Sequence, residues 1–248
     1  MICYQGVKFD YEPYPVGLIV NVFDRDFYQA LVASYPPMEL FKYMASVGHK
    51  YALSEANNAG IYRRFLADHA AWGRFHTYIK SKQFIEHTLD MLKASNIDLN
   101  LGKYRVVTDR AGKRANPLST VRGVAELRAR FEFSMMNAKG GHIRPHTDHP
   151  LKLVTLVFSM MPAGEWNPAW GGGTAVVWPK DRSRIYNQAN KYLDFEQVEV
   201  LKEFPFQPNQ ALIFIKTFNS WHAVSPMTAP TDNALRKTLT VNIEKRKV

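Results

Sequence analysis

The second half of the chain consists of short apolar runs separated by turn residues, and this pattern constrains the fold more than any other feature. From about residue 126 onward, stretches rich in β-branched and aromatic residues follow one another, with Gly, Pro and Asn between them. These stretches are RARFEFSMM, LKLVTLVFSMM, TAVVWP, QVEVLKEFPF, ALIFIKT and KTLTVNIEK. Short strands that recur with turn signals between them are typical of a β-sandwich, a jelly roll or a barrel.

Helical periodicity is confined to the first hundred residues. Residues 24–34 carry apolar side chains at helical spacing behind an acidic start, which predicts one helix. Residues 68–95 predict one or two more helices, with a buried stripe of Trp72, Phe75, Ile79, Phe84 and Leu89. These helices are too few and too interrupted to form a domain of their own. We therefore expect a single domain over residues 1–248, mainly β with α, in which residues 1–100 are mostly helical support.

Composition narrows the classes of protein and site. The 248 residues are 46% hydrophobic and 13% aromatic, enough for a packed core and unlike a disordered chain. The single cysteine, Cys3, excludes a disulfide within the chain, so any metal site must use His, Asp or Glu. No signal-peptide pattern opens the sequence, and the longest apolar run, near residues 153–161, is too short to span a bilayer. We expect a soluble, cytoplasmic protein with no membrane partner.

Lysine and arginine exceed aspartate and glutamate by ten, and the excess is concentrated in residues 103–130. Such a segment attracts anions: nucleic acid, a nucleotide or an acidic metabolite. It lacks the interleaved aromatic residues of a surface that stacks single-stranded bases, which favours a solvated basic loop instead. Within it, residues 104–123 predict a hairpin or an irregular insertion, with DRAGKR as the turn.

Three histidines and an aspartate lie close together in GGHIRPHTDHP, residues 140–150. A His-x-Asp pair alone is weak evidence, because such pairs arise by chance. Here, however, His146-Thr147-Asp148 follows a predicted strand and a Gly-Gly break. In extended backbone, residues i and i+2 point to the same side, so His146 and Asp148 can converge on one ion.

His222 is the best candidate for a third ligand, because it directly follows the apolar strand ALIFIKT in the stretch NSWHAVSP. Two histidines and one carboxylate leave three coordination positions open, an arrangement associated with non-haem Fe(II) oxygenases. Zinc-dependent hydrolysis is an alternative use of such ligands, although the sequence has no H-E-x-x-H helix.

Arg236 discriminates between these uses. It lies fourteen residues after His222 in LRKTLTVNIE, and strand alternation sends its neighbour Lys237 to the opposite face. A guanidinium binds a carboxylate through two parallel hydrogen bonds. Arg236 therefore suits a dicarboxylate co-substrate with one end on the metal and the other on the arginine.

In order and spacing, His146-x-Asp148, His222 and Arg236 resemble the 2-oxoglutarate/Fe(II)-dependent dioxygenases, specifically the prolyl-4-hydroxylase-like branch. The flanking segments agree. GGHIRPHTDHP resembles the G-x-x-x-x-P-H-x-D segment of that branch, WGGGTAVVWP its glycine turn and strand, and FQPNQALIFIKTFNSWHAV the strand that delivers the second histidine. The resemblance covers residues 130–245.

The resemblance implies a double-stranded β-helix (jelly roll) catalytic core over residues 126–248. It implies Fe(II) on His146, Asp148 and His222, and 2-oxoglutarate with its 5-carboxylate on Arg236. O2 would be the oxidant, succinate and CO2 the co-products, and ascorbate a candidate reductant. By register, Asn137 and Ser159 stand where the branch often has tyrosines that hold this carboxylate, so both are predicted co-substrate ligands.

The substrate stays open. A peptidyl proline, an amino acid, a sugar or glycan, and a small metabolite all fit, with an anionic group among the options. Nucleic acid is disfavoured, because the Arg-x-x-x-x-x-Arg pair of the demethylating branch is incomplete: Asn242 follows Arg236 by six residues. The loops near 103–124 and 162–170 are the expected substrate-facing segments, and His142 and His149 are expected at the pocket rim. The oligomeric state cannot be predicted from this sequence.

Two functions from other classes remain. One is a cupin-like, metal-dependent isomerase or hydrolase that works without 2-oxoglutarate, and it gives Arg236 no role. The other is a basic nucleic-acid- or anion-binding protein whose functional surface is the segment 103–130. It predicts that the histidines are replaceable and that binding weakens steeply with salt.

Overall fold

The computed structural model describes residues 1–45, 48–107 and 123–246. Within these residues, two sheets enclose a cavity, and four α-helices pack on the outer face of the larger sheet. The strands are β1 (Lys8–Asp10), β2 (Val16–Val20), β3 (Lys42–Met44), β4 (Lys50–Ser54), β5 (Tyr104–Val106), β6 (Ala125–Asn137), β7 (Ile143–His146), β8 (Lys152–Ser159), β9 (Thr174–Pro179), β10 (Val198–Phe204), β11 (Gln210–Ile215), β12 (His222–Val224) and β13 (Leu235–Lys245). The helices are α1 (Arg25–Ala33), α2 (Ala59–Asp68), α3 (Ala70–Ile79) and α4 (Lys82–Ala94).

The strand order identifies a jelly roll. The larger sheet runs β1-β2-β11-β8-β13-β6-β4-β3, with β5 parallel to β6, and the smaller sheet runs β10-β9-β12-β7. From β6 to β13 the chain passes back and forth between the sheets: β6, β8, β11 and β13 lie in the larger one, and β7, β9, β10 and β12 in the smaller one. The predicted fold class, a mainly β jelly roll with helices, is confirmed.

Strand alternation divides the larger sheet into an apolar and a polar face. On β6, Phe131 and Phe133 point outward and pack with Trp72 of α3 in the main hydrophobic core. Ser134 and Met136, at the alternate positions that follow Phe133, point inward and line the cavity. Because the helices cover the apolar face, the polar face is left for the site between the sheets.

The two predicted helical regions are confirmed: residues 24–34 contain α1, capped by the Asp24 side chain, and residues 68–95 contain α3 and α4. Helix α2 was not predicted, because its first residues are Ala-Gly and its N-cap residue Asn58 makes no capping hydrogen bond through its side chain. The first hundred residues also supply β1 to β4, each only three to five residues long, which is too short for a clear alternating pattern.

Among the described residues, no helix is both long enough and apolar enough to cross a membrane. Of the predicted hairpin or insertion at 104–123, Tyr104–Val106 form β5, and residues 108–122 lie outside the described part of the chain.

Trp72 is one of the two largest fully buried side chains among the described residues, and its replacement tests the packing of the helices on the sheet. The indole packs edge-to-face on Phe133 at 4.7 Å between ring centroids, and its N–H donates to the Ser34 carbonyl oxygen at 2.9 Å. Trp72→Ala should lower the free energy of unfolding by about 3–5 kcal/mol, measured by urea titration. Trp170→Ala, at a partly exposed tryptophan of a loop, should cost clearly less, and equal losses would contradict this assignment.

Candidate active site

Two neighbouring strands of the smaller sheet bring three candidate metal ligands together. His146 ends β7, His222 begins β12, and the two residues are direct partners in the strand register. Asp148 lies two residues beyond β7, with one oxygen 3.6 Å from His146 Nε2 and the other 3.9 Å from His222 Nε2. One candidate ligand atom from each of the three residues lies within 4.8 Å of the other two. Ligands of one ion at bonds of about 2.1 Å lie roughly 3–4 Å apart, so small shifts suffice for coordination.

The local backbone differs from the expected continuous strand. The strand ends at His146, and Asp148 has a φ of 69°, in the left-handed region that aspartate tolerates better than most residues. Thr147 points away from the ligands, as the alternation predicts, and its hydroxyl donates to the Asn187 carbonyl oxygen at 3.1 Å. The carboxylate of Asp148 therefore reaches the histidines through a turn rather than through a strand.

Backbone carbonyls fix the orientation of both imidazoles. Nδ1 of His146 is 2.9 Å from the Arg144 carbonyl oxygen, and Nδ1 of His222 is 2.9 Å from that of Ser220. A carbonyl oxygen only accepts, so each Nδ1 carries the hydrogen and each Nε2 presents a lone pair. These Nε2 atoms face Asp148, which gives the donor set of two nitrogens and one oxygen that a divalent transition metal binds.

Asp148 is held by two further side chains of the β8 region. Lys152 Nζ lies 2.6 Å from one carboxylate oxygen, and the Thr155 hydroxyl donates to the other at 3.2 Å. Burial raises the pKa of Asp148, but Lys152 and the two imidazoles outweigh burial and hold this pKa well below its usual range. Burial also lowers the pKa of His222 to about 3. At neutral pH the site thus presents an ionised carboxylate and a neutral His222, the protonation states that metal binding requires.

Acidification should destabilise the metal-free protein through His222. The unfolded chain takes up this proton near pH 6.5, whereas the folded chain resists it until about pH 3. The unfolded state therefore binds more protons between these values, and stability falls as the pH falls, by at most about 1.4 kcal/mol per pH unit. Urea titrations with a chelator at pH 7, 6 and 5 should show a shallower dependence for His222→Gln. His149→Gln, at an exposed residue of the same segment, is the control, and equal slopes for all three proteins would contradict the assignment.

Arg236 lies in the same cavity, of about 290 Å³, as the three candidate ligands. Its side chain is buried, its Nε donates to the Gly172 carbonyl oxygen at 2.6 Å, and its guanidinium lies 4.5 Å from the centre of the Phe206 ring. Burial lowers the pKa of Arg236 to about 10, so it stays charged at neutral pH. Among the described residues, no carboxylate forms an ion pair with it. A buried cation without a counter-ion is costly, which suits an anion that enters from solution.

Hydroxyl groups surround the arginine. Thr238 follows it by two residues on β13, and the direct strand neighbours of Thr238 are Ser134 on β6 and Ser159 on β8. Ser134 Oγ is buried and has no hydrogen-bond partner among the described residues. Ser159 lines a smaller void that adjoins Arg236 and Gly172. A carboxylate on Arg236 would find hydroxyl donors beside it, and Ser159 stays a predicted co-substrate ligand.

The prediction for Asn137 needs correction. Arg236 pairs with Met136 in the register, so alternation places Met136 and Ser134 in the cavity and excludes Asn137 from its lining. The Asn137 amide donates instead to the Asp232 carbonyl oxygen and accepts from the Lys139 backbone N–H. Met136 therefore occupies the inward position beside Arg236, and Ser134, the partner of Thr238, is the hydroxyl-bearing residue of β6 that lines the cavity.

Lys152, Thr155 and Thr238 were missed or undervalued by the sequence analysis. Thr155, which was expected to be structural, lies between Asp148 and the Asn242 side chain, and its one hydroxyl hydrogen can be donated to Asp148 at 3.2 Å or to Asn242 Oδ1 at 2.8 Å. The available signal was the even spacing of polar residues on β8 and β13, which places them on the inward face. For Lys152, the only signal in the sequence was its position four residues after Asp148.

The other singled-out residues take supporting positions. His149 lines the cavity, whereas His142 packs against Phe195 outside its lining. Trp166 and Trp170 pack on each other in the loop 162–170, which contributes nothing to the cavity lining. A segment that was not anticipated, residues 185–193, supplies Asn190 and Tyr192 to the cavity instead.

The described part of the basic segment is largely neutralised. Arg105 pairs with Glu126, Arg128 pairs with Glu244 at 2.6 Å, and Arg130 lies 3.5 Å from Glu132. Of the other basic residues in the segment 103–130, Lys103 is exposed, and Arg110, Lys113, Arg114 and Arg122 fall outside the described part of the chain. These ion pairs give no support to a nucleic-acid surface.

Comparison with known proteins finds one matching family model and several solved structures of similar fold. Residues 131–244 match the family model of the 2OG-Fe(II) oxygenase superfamily. No curated protein sequence matches the chain. A Pseudomonas putida prolyl-4-hydroxylase has a similar fold, with a TM-score of 0.50 and 13% identity over 93% of this chain and 92% of that one. A prolyl hydroxylase from Trichoplax adhaerens, in complex with a hypoxia inducible factor peptide, has a TM-score of 0.48 and 11% identity, over 92% of this chain and 83% of that one. HygX from Streptomyces hygroscopicus, with nickel and 2-oxoglutarate bound, has a TM-score of 0.43 and 11% identity, over 92% of this chain and 81% of that one.

Proposed function

Because its residues 131–244 match the family model of the 2OG-Fe(II) oxygenase superfamily, we propose that this chain belongs to that superfamily and is an Fe(II)- and 2-oxoglutarate-dependent dioxygenase that hydroxylates its substrate. The observation that carries the proposal is one cavity holding both the ligand set His146, Asp148 and His222 and the buried Arg236. The first three suit a metal with open coordination positions, and Arg236 suits the far carboxylate of a metal-chelating dicarboxylate.

The residues present fit Fe(II). Two imidazole nitrogens and a carboxylate oxygen converge, with their orientation fixed by backbone carbonyls and by Thr155. Bound together, Fe(II) and 2-oxoglutarate supply the oxidising chemistry: O2 and 2-oxoglutarate are consumed, a substrate C–H becomes C–OH, and succinate and CO2 are released. The chain contributes ligand geometry, and its cavity walls shield the reacting groups from bulk water.

Arg236 orients the co-substrate. Its guanidinium is held by Gly172 and Phe206, so two N–H groups can meet a carboxylate with little loss of rotational freedom. The hydroxyls of Thr238 and Ser134, on adjacent strands, lie on the same inward face and can donate to the same carboxylate. Ser159 is the corresponding candidate on the other side of β13.

The alternative of a metal-dependent isomerase or hydrolase without 2-oxoglutarate leaves Arg236 as a buried charge with no function. A nucleic-acid-binding protein leaves the histidine cluster unexplained, and the described arginines of its supposed surface are paired with carboxylates. The buried arginine therefore favours the oxygenase.

An anaerobic titration tests the proposal. Metal-free protein receives Fe(II) and then 2-oxoglutarate, and the weak visible charge-transfer band of the chelate is recorded. We expect a saturable band at one equivalent of iron, followed by succinate release when air is admitted, with and without ascorbate. A folded, iron-loaded protein that shows no band would overturn the assignment and turn attention to the isomerase or hydrolase.

A further inference from the structure

Residues 185–193 form a wall that is tied to both ligand-bearing segments. At one end, the Trp221 indole N–H donates to the Ile185 carbonyl oxygen at 2.8 Å, next to His222. At the other end, the Leu193 backbone N–H donates to the Pro145 carbonyl oxygen at 3.0 Å, next to His146. Between them, the Asn187 side chain both donates to and accepts from the backbone of Lys191. The segment therefore keeps a fixed position relative to the candidate metal ligands.

This wall presents two side chains to the cavity. The Tyr192 ring stacks on the ligand His146, with 5.3 Å between ring centroids and 25° between planes, and remains partly exposed. Asn190 lines the same cavity, and its Oδ1 is buried with no hydrogen-bond partner among the described residues. A buried acceptor without a donor costs free energy, and in an open site that cost is removed when a ligand supplies the donor.

The size of the cavity limits what enters beside the metal. Its volume of about 290 Å³ is small for a ligand site and has to accommodate 2-oxoglutarate as well. The remaining space suits one ring or one side chain rather than a whole macromolecule. Such a group would contact the exposed part of the Tyr192 ring, which already faces His146 and the Arg144 guanidinium, and would approach the amide of Asn190.

We propose that Asn190 is a specificity-determining residue whose Oδ1 accepts a hydrogen bond from an N–H or O–H of the substrate, while Tyr192 packs against the ring or chain that carries this group. The inference rests on the proposed function, since it names the substrate class of the same site. The class is a donor-bearing group, either an amide N–H or a hydroxyl, because the unpaired atom of Asn190 is the acceptor Oδ1. Peptide and carbohydrate substrates share this chemistry, and matched probes separate them.

Ligand-observed saturation-transfer NMR tests this with protein loaded with Zn(II) and 2-oxoglutarate, which does not turn over. The probes are two pairs that differ by one methyl group on the donor. For the amide they are 2-pyrrolidinone and N-methyl-2-pyrrolidinone, and for the hydroxyl cyclohexanol and methoxycyclohexane. In one pair the donor-bearing member should bind roughly fivefold more tightly than its methylated partner, the effect of one hydrogen bond. The pair that responds identifies the source of the donor.

Three variants attribute the preference to Asn190. Asn190 has a φ of 51°, which glycine adopts freely and aspartate tolerates, so neither Asn190→Gly nor Asn190→Asp strains the backbone. Asn190→Gly should abolish the preference, whereas Asn190→Asp, which keeps an acceptor, should retain it. Asn96→Gly is the matched control, since Asn96 is an exposed asparagine with a φ of 57° outside the cavity lining.

An unchanged preference in Asn190→Gly, equal binding within both pairs, or no binding of any probe would overturn the inference. Failure of the proposed function is distinguishable, because it appears as a missing Fe(II)–2-oxoglutarate band in the unmodified protein. A normal band combined with any of these NMR results rejects only the role of Asn190.

Discussion

Replacing His146 by alanine should weaken Fe(II) binding by at least about 100-fold and reduce succinate formation below detection, because one of three protein ligands is lost. Its Nε2 faces Asp148, and its Nδ1 donates to the Arg144 carbonyl oxygen, so the ring is already oriented for coordination. Isothermal titration with Fe(II) under nitrogen measures the first effect, and succinate release after admission of air measures the second.

His149→Ala is the matched control for His146→Ala. His149 lies three residues further along the same segment and lines the cavity, but it is exposed and does not belong to the ligand cluster. Its variant should bind Fe(II) within about threefold of the unmodified protein, because no coordination bond is lost. If both variants lost the metal equally, the loss would report damage to the segment, and the assignment of His146 would fail.

The strands of the core were predictable because burial imposes a period on the sequence. The six apolar runs correspond to β6, β8, β9, β10, β11 and β13, and the polar residues Thr155 and Arg236 alternate with core residues as a strand requires. Four ligand-type residues in a fixed order carry chemical information in their own identities, so the candidate site could be found without coordinates.

Features that depend on contacts distant in sequence could not be predicted. Asn137 and Ser134 differ only in which one faces inward, and that choice is made by pairing with β13, about one hundred residues later. Asn190 has no sequence signal, because its segment is positioned by a hydrogen bond to the Pro145 carbonyl oxygen and one from the Trp221 indole N–H. The turn at Asp148 is local, yet a left-handed aspartate looks like any other aspartate in a sequence.

Arg236→Met should raise the dissociation constant for 2-oxoglutarate by roughly 10- to 100-fold while leaving Fe(II) binding unchanged. Hydrogen bonds to charged groups contribute about 1.5–3 kcal/mol, which corresponds to that range. Titration of the charge-transfer band with 2-oxoglutarate at saturating iron gives the constant. Methionine is the substitute of choice, because it keeps an unbranched apolar stem against Phe206 and removes only the charge and its donors.

Lys237→Met provides the control that separates a specific contact from a change in net charge. Lys237 is the next residue of β13 and lies outside the cavity lining, so its variant loses the same charge on the other face of the sheet. It should bind 2-oxoglutarate like the unmodified protein. Stability gives a second test: no described carboxylate pairs with Arg236, so without co-substrate Arg236→Met should lower the free energy of unfolding by no more than about 1–3 kcal/mol, the cost of leaving the Gly172 carbonyl oxygen unpaired. Equal weakening in both variants, or a large loss of stability in Arg236→Met alone, would make Arg236 a structural residue and remove the support it gives to a 2-oxoglutarate site.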